Sequence, residues 1–348
     1  MSIATIDGIS AETITTDRIT TRVLFSGSAE GVPVLFLHGN SSSATWWEET
    51  MVSLPSGYRG IAPDQRGFGD AEVEKKIDAT RGMGDLADDA IALLDHLSID
   101  KAHIVGNSMG GSVIWELLIS APRRFLTATV VSPGSPYGFG GTKGLDGEPC
   151  HDDFSGSGGG LVNAQVVQLV KDGYDGLENP FGYRAALRTL VYKPPFIPER
   201  EDDLLASALS IHVGEQDWPG DKTMSPNWPH VAPGVWGAAN GLSPKYAINV
   251  ADLINCETKV RILWIRGSDD KAVADGAASD LAVLGAMGLV PGYPGAEVYP
   301  IQPMVSQTRA VLEQYGAFEE VVIDNTGHVP FIDDLAAFNA AFHPFISM

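Results

Sequence analysis

Four short stretches hold residues that could do nucleophilic chemistry together: Gly106-Asn107-Ser108-Met109-Gly110, His38-Gly39-Asn40-Ser41, Gly267-Ser268-Asp269-Asp270-Lys271 and Gly327-His328-Val329-Pro330. A serine hydroxyl is a weak nucleophile until a neighbouring base takes its proton, and a histidine serves best as that base when an acid fixes its tautomer. Ser108 stands in G-x-S-x-G between an apolar run and a helical one. That context predicts a sharp strand-to-helix turn, with glycines two residues to either side so that the backbones can pass and Oγ exposed above a sheet. The Met109 N–H and the helix N-terminus would then face charge developing at a reacting carbonyl. The His38 loop follows another apolar run and offers the Asn40 N–H as a second donor to the same oxygen. His38 itself is expected to pin that loop by hydrogen bonding.

The acid and base come later in the chain, in the order Ser, Asp, His. Asp269 and Asp270 are both candidates for the acid. Asp270 is preferred because three residues of turn after Gly267 bring its side chain back across the sheet top, leaving Asp269 as a solvated or capping carboxylate. Ser132-Pro133-Gly134, after the preceding strand, offers no acid. Of the eight histidines, only His328 has the right place in that order; His96 and His103 fall on core elements, His343 follows the last helix, and His151, His212 and His230 lie in an intervening region. Cys150-His151-Asp152-Asp153 resembles a metal cluster, but adjacent residues do not converge easily on one ion, so no metal or cofactor is expected.

These stretches need a scaffold. Val32 to Leu37 is an apolar run ending at His38, as a strand buried on both faces of a parallel sheet reads. Lys101 to Gly106, Leu126 to Val131, Val260 to Arg266 and the shorter Glu320 to Ile323 read the same way. Helical spacing appears in Leu86, Ala90, Leu93, Leu94 and Leu97, in Ser112 to Ile119, and in Phe331, Leu335, Phe338 and Phe342. The expected fold is α/β: a mostly parallel central sheet flanked by helices, with ligands gathered beyond the carboxyl ends of the strands. The alternation breaks after about Pro133. Residues 134–160 hold ten glycines and Asp217 to Leu242 is rich in Pro, Gly and Trp, which predicts an inserted cap over 134–255 between core segments 1–133 and 256–348. A smaller insertion is expected between Leu284 and Gln302. Trp46 and Trp47 could wall an acyl pocket, but neighbours on a helix face different ways; Trp47, Trp218, Trp228 and Trp236 are the expected substrate contacts.

A formal net charge of −21 over 348 residues removes the electrostatic attraction to nucleic acid or anionic membrane. No apolar run approaches the ~20 residues that span a bilayer, and the first residues lack a basic segment followed by an apolar one; a cytoplasmic location is the expectation. Two cysteines are too few for a disulfide framework.

With the four stretches in this order, the chain resembles the α/β-hydrolase fold family over roughly residues 20–133 and 255–346. Asp64-Gln65-Arg66-Gly67-Phe68-Gly69 is also similar to that family's D-x-R-G-x-G loop, which in relatives braces the floor of the active site. Haloalkane dehalogenases and epoxide hydrolases have a similar H-G-N or H-G-x-P loop but place Asp at the nucleophile, whereas Ser108 implies acyl transfer. The resemblance therefore implies a serine hydrolase using Ser108, Asp270 and His328 on a carboxylic ester or lactone of a mostly apolar small molecule. Gly106-Asn107-Ser108-Met109-Gly110-Gly111 is also reminiscent of hydrolases that split carbon–carbon bonds in ring-cleavage diketones, the second expectation. A small-molecule receptor on a hydrolase fold is the alternative of another class. The expected partner is a small-molecule substrate, with apolar surface on the cap or on 284–302 available to a homodimer.

Overall fold

The computed structural model describes residues 3–347. Eight strands form its main sheet: β1 (Ser10–Thr15), β2 (Thr20–Gly27), β3 (Val32–Leu37), β4 (Tyr58–Pro63), β5 (Ala102–Asn107), β6 (Phe125–Val131), β7 (Ile262–Gly267) and β8 (Phe318–Ile323). Their spatial order is β1-β2-β4-β3-β5-β6-β7-β8. The pairs β1–β2 and β2–β4 are antiparallel, and every pair from β4 to β8 is parallel.

Side chains alternate between two buried clusters, as successive residues of a strand must. Leu35 and Leu37 of β3, Ile104 of β5, Val130 of β6 and Trp264 of β7 point to one face. Val34 and Phe36, Val105, Val131, and Leu263 and Ile265 point to the other. A sheet covered on both faces explains why these strands read as unbroken apolar runs. Helix α1 (Gly84–His96) and helix α2 (Met109–Ser120) bury Leu86, Ala90, Val113 and Leu117 on the first face. On the second, Phe331 precedes helix α3 (Leu335–Ile346), which contributes Phe338 and Phe342.

The five strands expected from the sequence are present, Val32–Leu37 with its expected ends and the other four with an end shifted by one or two residues. Three others carried no clear signal. β1 is an edge strand in which only Ile14 is buried, so its sequence, S-A-E-T-I-T, has no apolar face to reveal it. β2 buries six of eight residues, yet Thr21, Arg22 and Ser26 interrupt its pattern. β4 contains Gly60 and Pro63, both depleted in strand interiors. The expected single C-terminal helix is two, broken at Asp334, whose carboxylate accepts the Ala337 N–H and caps α3.

Between β6 and β7 the chain forms short helices and paired strands of two or three residues. One piece matters for the site: a helical turn, Tyr183–Ala186, that continues as a π-helical turn, Leu187–Val191. Buried residues of this stretch join both sheet clusters, among them Val170, Ile211 and Trp218 on one face and Leu187, Tyr192 and Leu204 on the other. Both cysteines are free thiols. Among the described residues no helix is long and apolar enough to cross a membrane.

Candidate active site

Strand register brings the four stretches together. Leu37 lies beside Gly106, Asn107 beside Val131, Val131 beside Ile265, and Gly267 beside Ile323. The parallel strands β3, β5, β6, β7 and β8 therefore end at one edge, and the loops that follow them share the space above it.

Ser108 sits in the tightest of these turns. Its φ of 53° and ψ of −114° place a non-glycine residue in a rarely occupied region. The neighbouring glycines are required by contact: a Cβ on Gly106 would lie 2.4 Å from the Gly110 carbonyl oxygen, and one on Gly110 would lie 2.2 Å from that of Leu37. The Ser108 N–H donates to the Val131 carbonyl at 2.9 Å, which ties the turn to the next strand. The Met109 N–H opens helix α2, so no carbonyl one turn earlier takes it.

The candidate base and acid are joined. His328 Nδ1 and Asp270 Oδ2 are 2.9 Å apart, with both side chains buried. The other Asp270 oxygen accepts the N–H groups of Ala272 and Val273 at 2.8 and 3.0 Å, so its own turn orients the carboxylate. Asp269 faces elsewhere. Lys193 Nζ donates to it at 2.6 Å, and that hydrogen bond holds its carboxyl below the ordinary carboxylate range. Three further bonds position His328. Its N–H donates to Val191 O at 2.8 Å, its carbonyl accepts from Asn107 Nδ2 at 3.2 Å, and the preceding Gly327 N–H donates to Asp333 at 2.6 Å. The residue before the nucleophile thus also holds the loop of the base.

The His38 loop is pinned from beneath. Nδ1 of His38 donates to the Gly39 carbonyl at 2.8 Å, while Nε2 accepts the Gln65 N–H at 2.9 Å. Burial pushes its pKa down to about 4, so the ring is a neutral strut at pH 7. Gln65 Nε2 donates to His38 O, and Asp64 accepts the Ala44 and Asp70 N–H groups, both at 2.9 Å. Residues of the D-x-R-G-x-G stretch therefore form the floor under the loop that carries Asn40.

Ser108 and His328 line one cavity of about 80 Å³ with Gly39, Asn40, Ser41, Ser42, Trp46, Asn107, Tyr183, Ala186, Leu187, Val191 and Val329. The profile of the α/β-hydrolase fold matches residues 32–146, the stretch that contains the His38 loop and the nucleophile turn. The chain has the α/β-hydrolase fold. It is 34% identical over 132 residues to the AB hydrolase superfamily protein YfhM of Bacillus subtilis, covering 38% of this chain and 46% of that one. With 2-hydroxymuconate semialdehyde hydrolase of Pseudomonas sp. it shares 28% identity over 225 residues, 55% of this chain and 77% of the relative. The naproxen esterase structure from Bacillus subtilis superposes with a TM-score of 0.59 over 97% of this chain and 91% of that one, at 18% identity. A likeness at that identity speaks for the fold.

On this fold the expected tryptophan contacts fall elsewhere. Trp47 is buried with its ring stacked on Phe331 at 4.0 Å. Trp218 packs edge-on to Tyr183, Trp228 is wedged between Tyr293 and Tyr299, and the Trp236 N–H bonds Asp221. None of the four lines the cavity. Large aromatic side chains in an irregular segment bury themselves first, and being a tryptophan carries no information about direction. Trp46, the neighbour of Trp47, takes the cavity position instead. The sequence reading also missed Ser41, Tyr183, Leu187 and Val191 as lining residues. For Ser41 the signal was available, since it directly follows Asn40; for the other three no strand or motif marked their place.

Proposed function

We propose that this protein is a serine esterase, hydrolysing a small carboxylic ester or lactone through an acyl-enzyme on Ser108. The observation that carries the reading is the 2.9 Å bond between His328 and Asp270 beside a serine held in the strained turn at the end of β5. His328 takes the Ser108 proton through Nε2 as Oγ attacks the carbonyl carbon. Asp270 keeps the imidazole in the tautomer with its proton on Nδ1 and stabilises the cation that forms, without taking the proton. The N–H groups of Met109 and Asn40 receive the oxyanion, aided by the positive end of helix α2. His328 then returns the proton to the leaving oxygen, and a water activated by the same imidazole releases the acid.

The cavity lining favours an ester over the second reading. Apart from His328 its side chains are uncharged, with an apolar wall of Trp46, Ala186, Leu187, Val191 and Val329. Several curated relatives are named as 2-hydroxy-6-oxo-6-phenylhexa-2,4-dienoate hydrolases. A dienoate brings a carboxylate, whose burial among neutral groups is costly without a cation. The 2-hydroxymuconate semialdehyde relative keeps that reading alive as the alternative. The direct test is a fluorophosphonate probe followed by peptide mass analysis, together with p-nitrophenyl acetate turnover. The reading requires label on Ser108 and ester turnover that disappears in Ser108→Ala. Bleaching of a vinylogous diketone chromophore with no ester turnover would shift the assignment to carbon–carbon cleavage.

A further inference from the structure

One wall of the Ser108 cavity is polar, and nothing in the acyl-transfer steps uses it. The hydroxyls of Ser41 and Tyr183 lie 2.7 Å apart, and both residues line the cavity. Ser41 is buried, and burial raises the Tyr183 phenol to about 12, so both remain hydroxyls at neutral pH. Two hydroxyls hold two protons, and the bond between them uses one. The second belongs to whichever oxygen accepts that bond, and it is free to donate to a third group. Next to them the side-chain oxygen of Asn40 is buried with no donor facing it. Being an acceptor, it is met by a ligand hydroxyl, which a hydroxyacyl chain carries and an alkoxyacyl chain does not.

Space narrows the choice of ligand. The cavity of about 80 Å³ is roughly half the ~150 Å³ that accommodates a benzene ring. An aromatic acyl group is therefore larger than the space beside Ser108, whereas about five heavy atoms fit.

Resting on the esterase reading, we propose that Ser41 and Tyr183 are specificity-determining residues that donate a hydrogen bond to an oxygen on the acyl chain. The substrates are then esters of short oxygenated acids, of the hydroxyacyl or alkoxyacyl class, rather than of the matching alkyl acids. A site built around a hydrogen bond discriminates strongly against an analogue lacking the partner, because its own polar groups are left unpaired.

The test compares p-nitrophenyl methoxyacetate with p-nitrophenyl butyrate, whose acyl chains differ by an oxygen in place of a methylene. Each kcat/KM is divided by the ester's hydroxide-catalysed rate constant, which removes the greater intrinsic reactivity of the alkoxy ester. The corrected preference for methoxyacetate is expected to be at least tenfold. It should fall close to one in both Tyr183→Phe and Ser41→Ala, chiefly through a higher KM for methoxyacetate. Fluorophosphonate labelling of Ser108 in each variant reports that the site is folded, and the two variants disturb packing on different elements. A wild-type ratio near or below one, or a ratio unchanged in labelled variants, overturns the proposal while leaving the esterase reading intact. Wild-type protein that neither labels nor turns over either ester overturns both.

Discussion

The sheet edge and the segment between β6 and β7 contribute to the same cavity in different ways. The sheet edge supplies Ser108, Asp270, His328 and Asn40, each one to five residues beyond a parallel strand. The intervening segment supplies Tyr183, Leu187 and Val191 from a turn with no strand beneath it. Where a strand ends, register with its neighbours dictates where the next residues stand. Where no strand leads in, position follows from packing, and the packing used Trp218 and Trp228 as core. The comparison suggests that chemistry is hung on the sheet and selectivity on the inserted turn.

The largest effect should come from the sheet side. Ser108→Ala and His328→Gln are each expected to lower kcat by about 10⁴-fold or more while leaving the fold intact, measured by ester turnover and circular dichroism. Retention of more than a tenth of the activity by either would break the division. Next comes the pair of aspartates. Asp270→Asn should cost about 10⁴-fold in kcat, because its amide can fix the wrong tautomer of His328; Asp269→Asn, which weakens bonds to Lys193 and Ser268 and none to His328, should stay within threefold. Equal losses in the two would mean that the neighbouring carboxylates share the role.

The inserted turn should act on selectivity. Leu187→Ala opens the apolar wall and should raise kcat/KM for hexanoate relative to acetate by about tenfold, the scale of one or two methylenes in a pocket. Trp236→Phe should move the same ratio by less than twofold, since that residue does not line the cavity. A larger effect from Trp236 than from Leu187 would restore the tryptophans to the substrate site.

The smallest effect is on stability. His38 and His103 are both buried, which lowers each pKa to about 4 against an ordinary 6.5. The unfolded chain takes up protons between those values that the folded chain refuses. Their contribution is complete above pH 6.5 and is lost as pH falls toward 4. The melting temperature should therefore drop across that window, and drop less in His103→Gln, followed by calorimetry. An identical slope in wild type and variant would remove His103 from the account.

Much of the site was legible because its signals are local. Gly106 and Gly110 reveal the turn that Ser108 needs, since backbone passes where their Cβ atoms would be. His328 was identified by chain order and a preceding glycine, and Asp270 by its distance from the end of β7. β1 and β4 were not legible, one because an edge strand need not be apolar and the other because Gly60 and Pro63 mask it. The tryptophans misled because hydrophobicity predicts burial and is silent on what lies opposite.

Sequence alone determined the candidate nucleophile, the chain order of its candidate acid and base, and the strands that carry them. These follow from short-range rules: side-chain alternation, turn sterics and the length of loops. The tertiary structure decided which of two adjacent tryptophans faces the cavity, and that Tyr183 reaches Ser41 across 142 residues of chain. Those choices rest on contacts between distant segments, whose geometry exists only once the sheet has set its register and the inserted turn has packed down upon it.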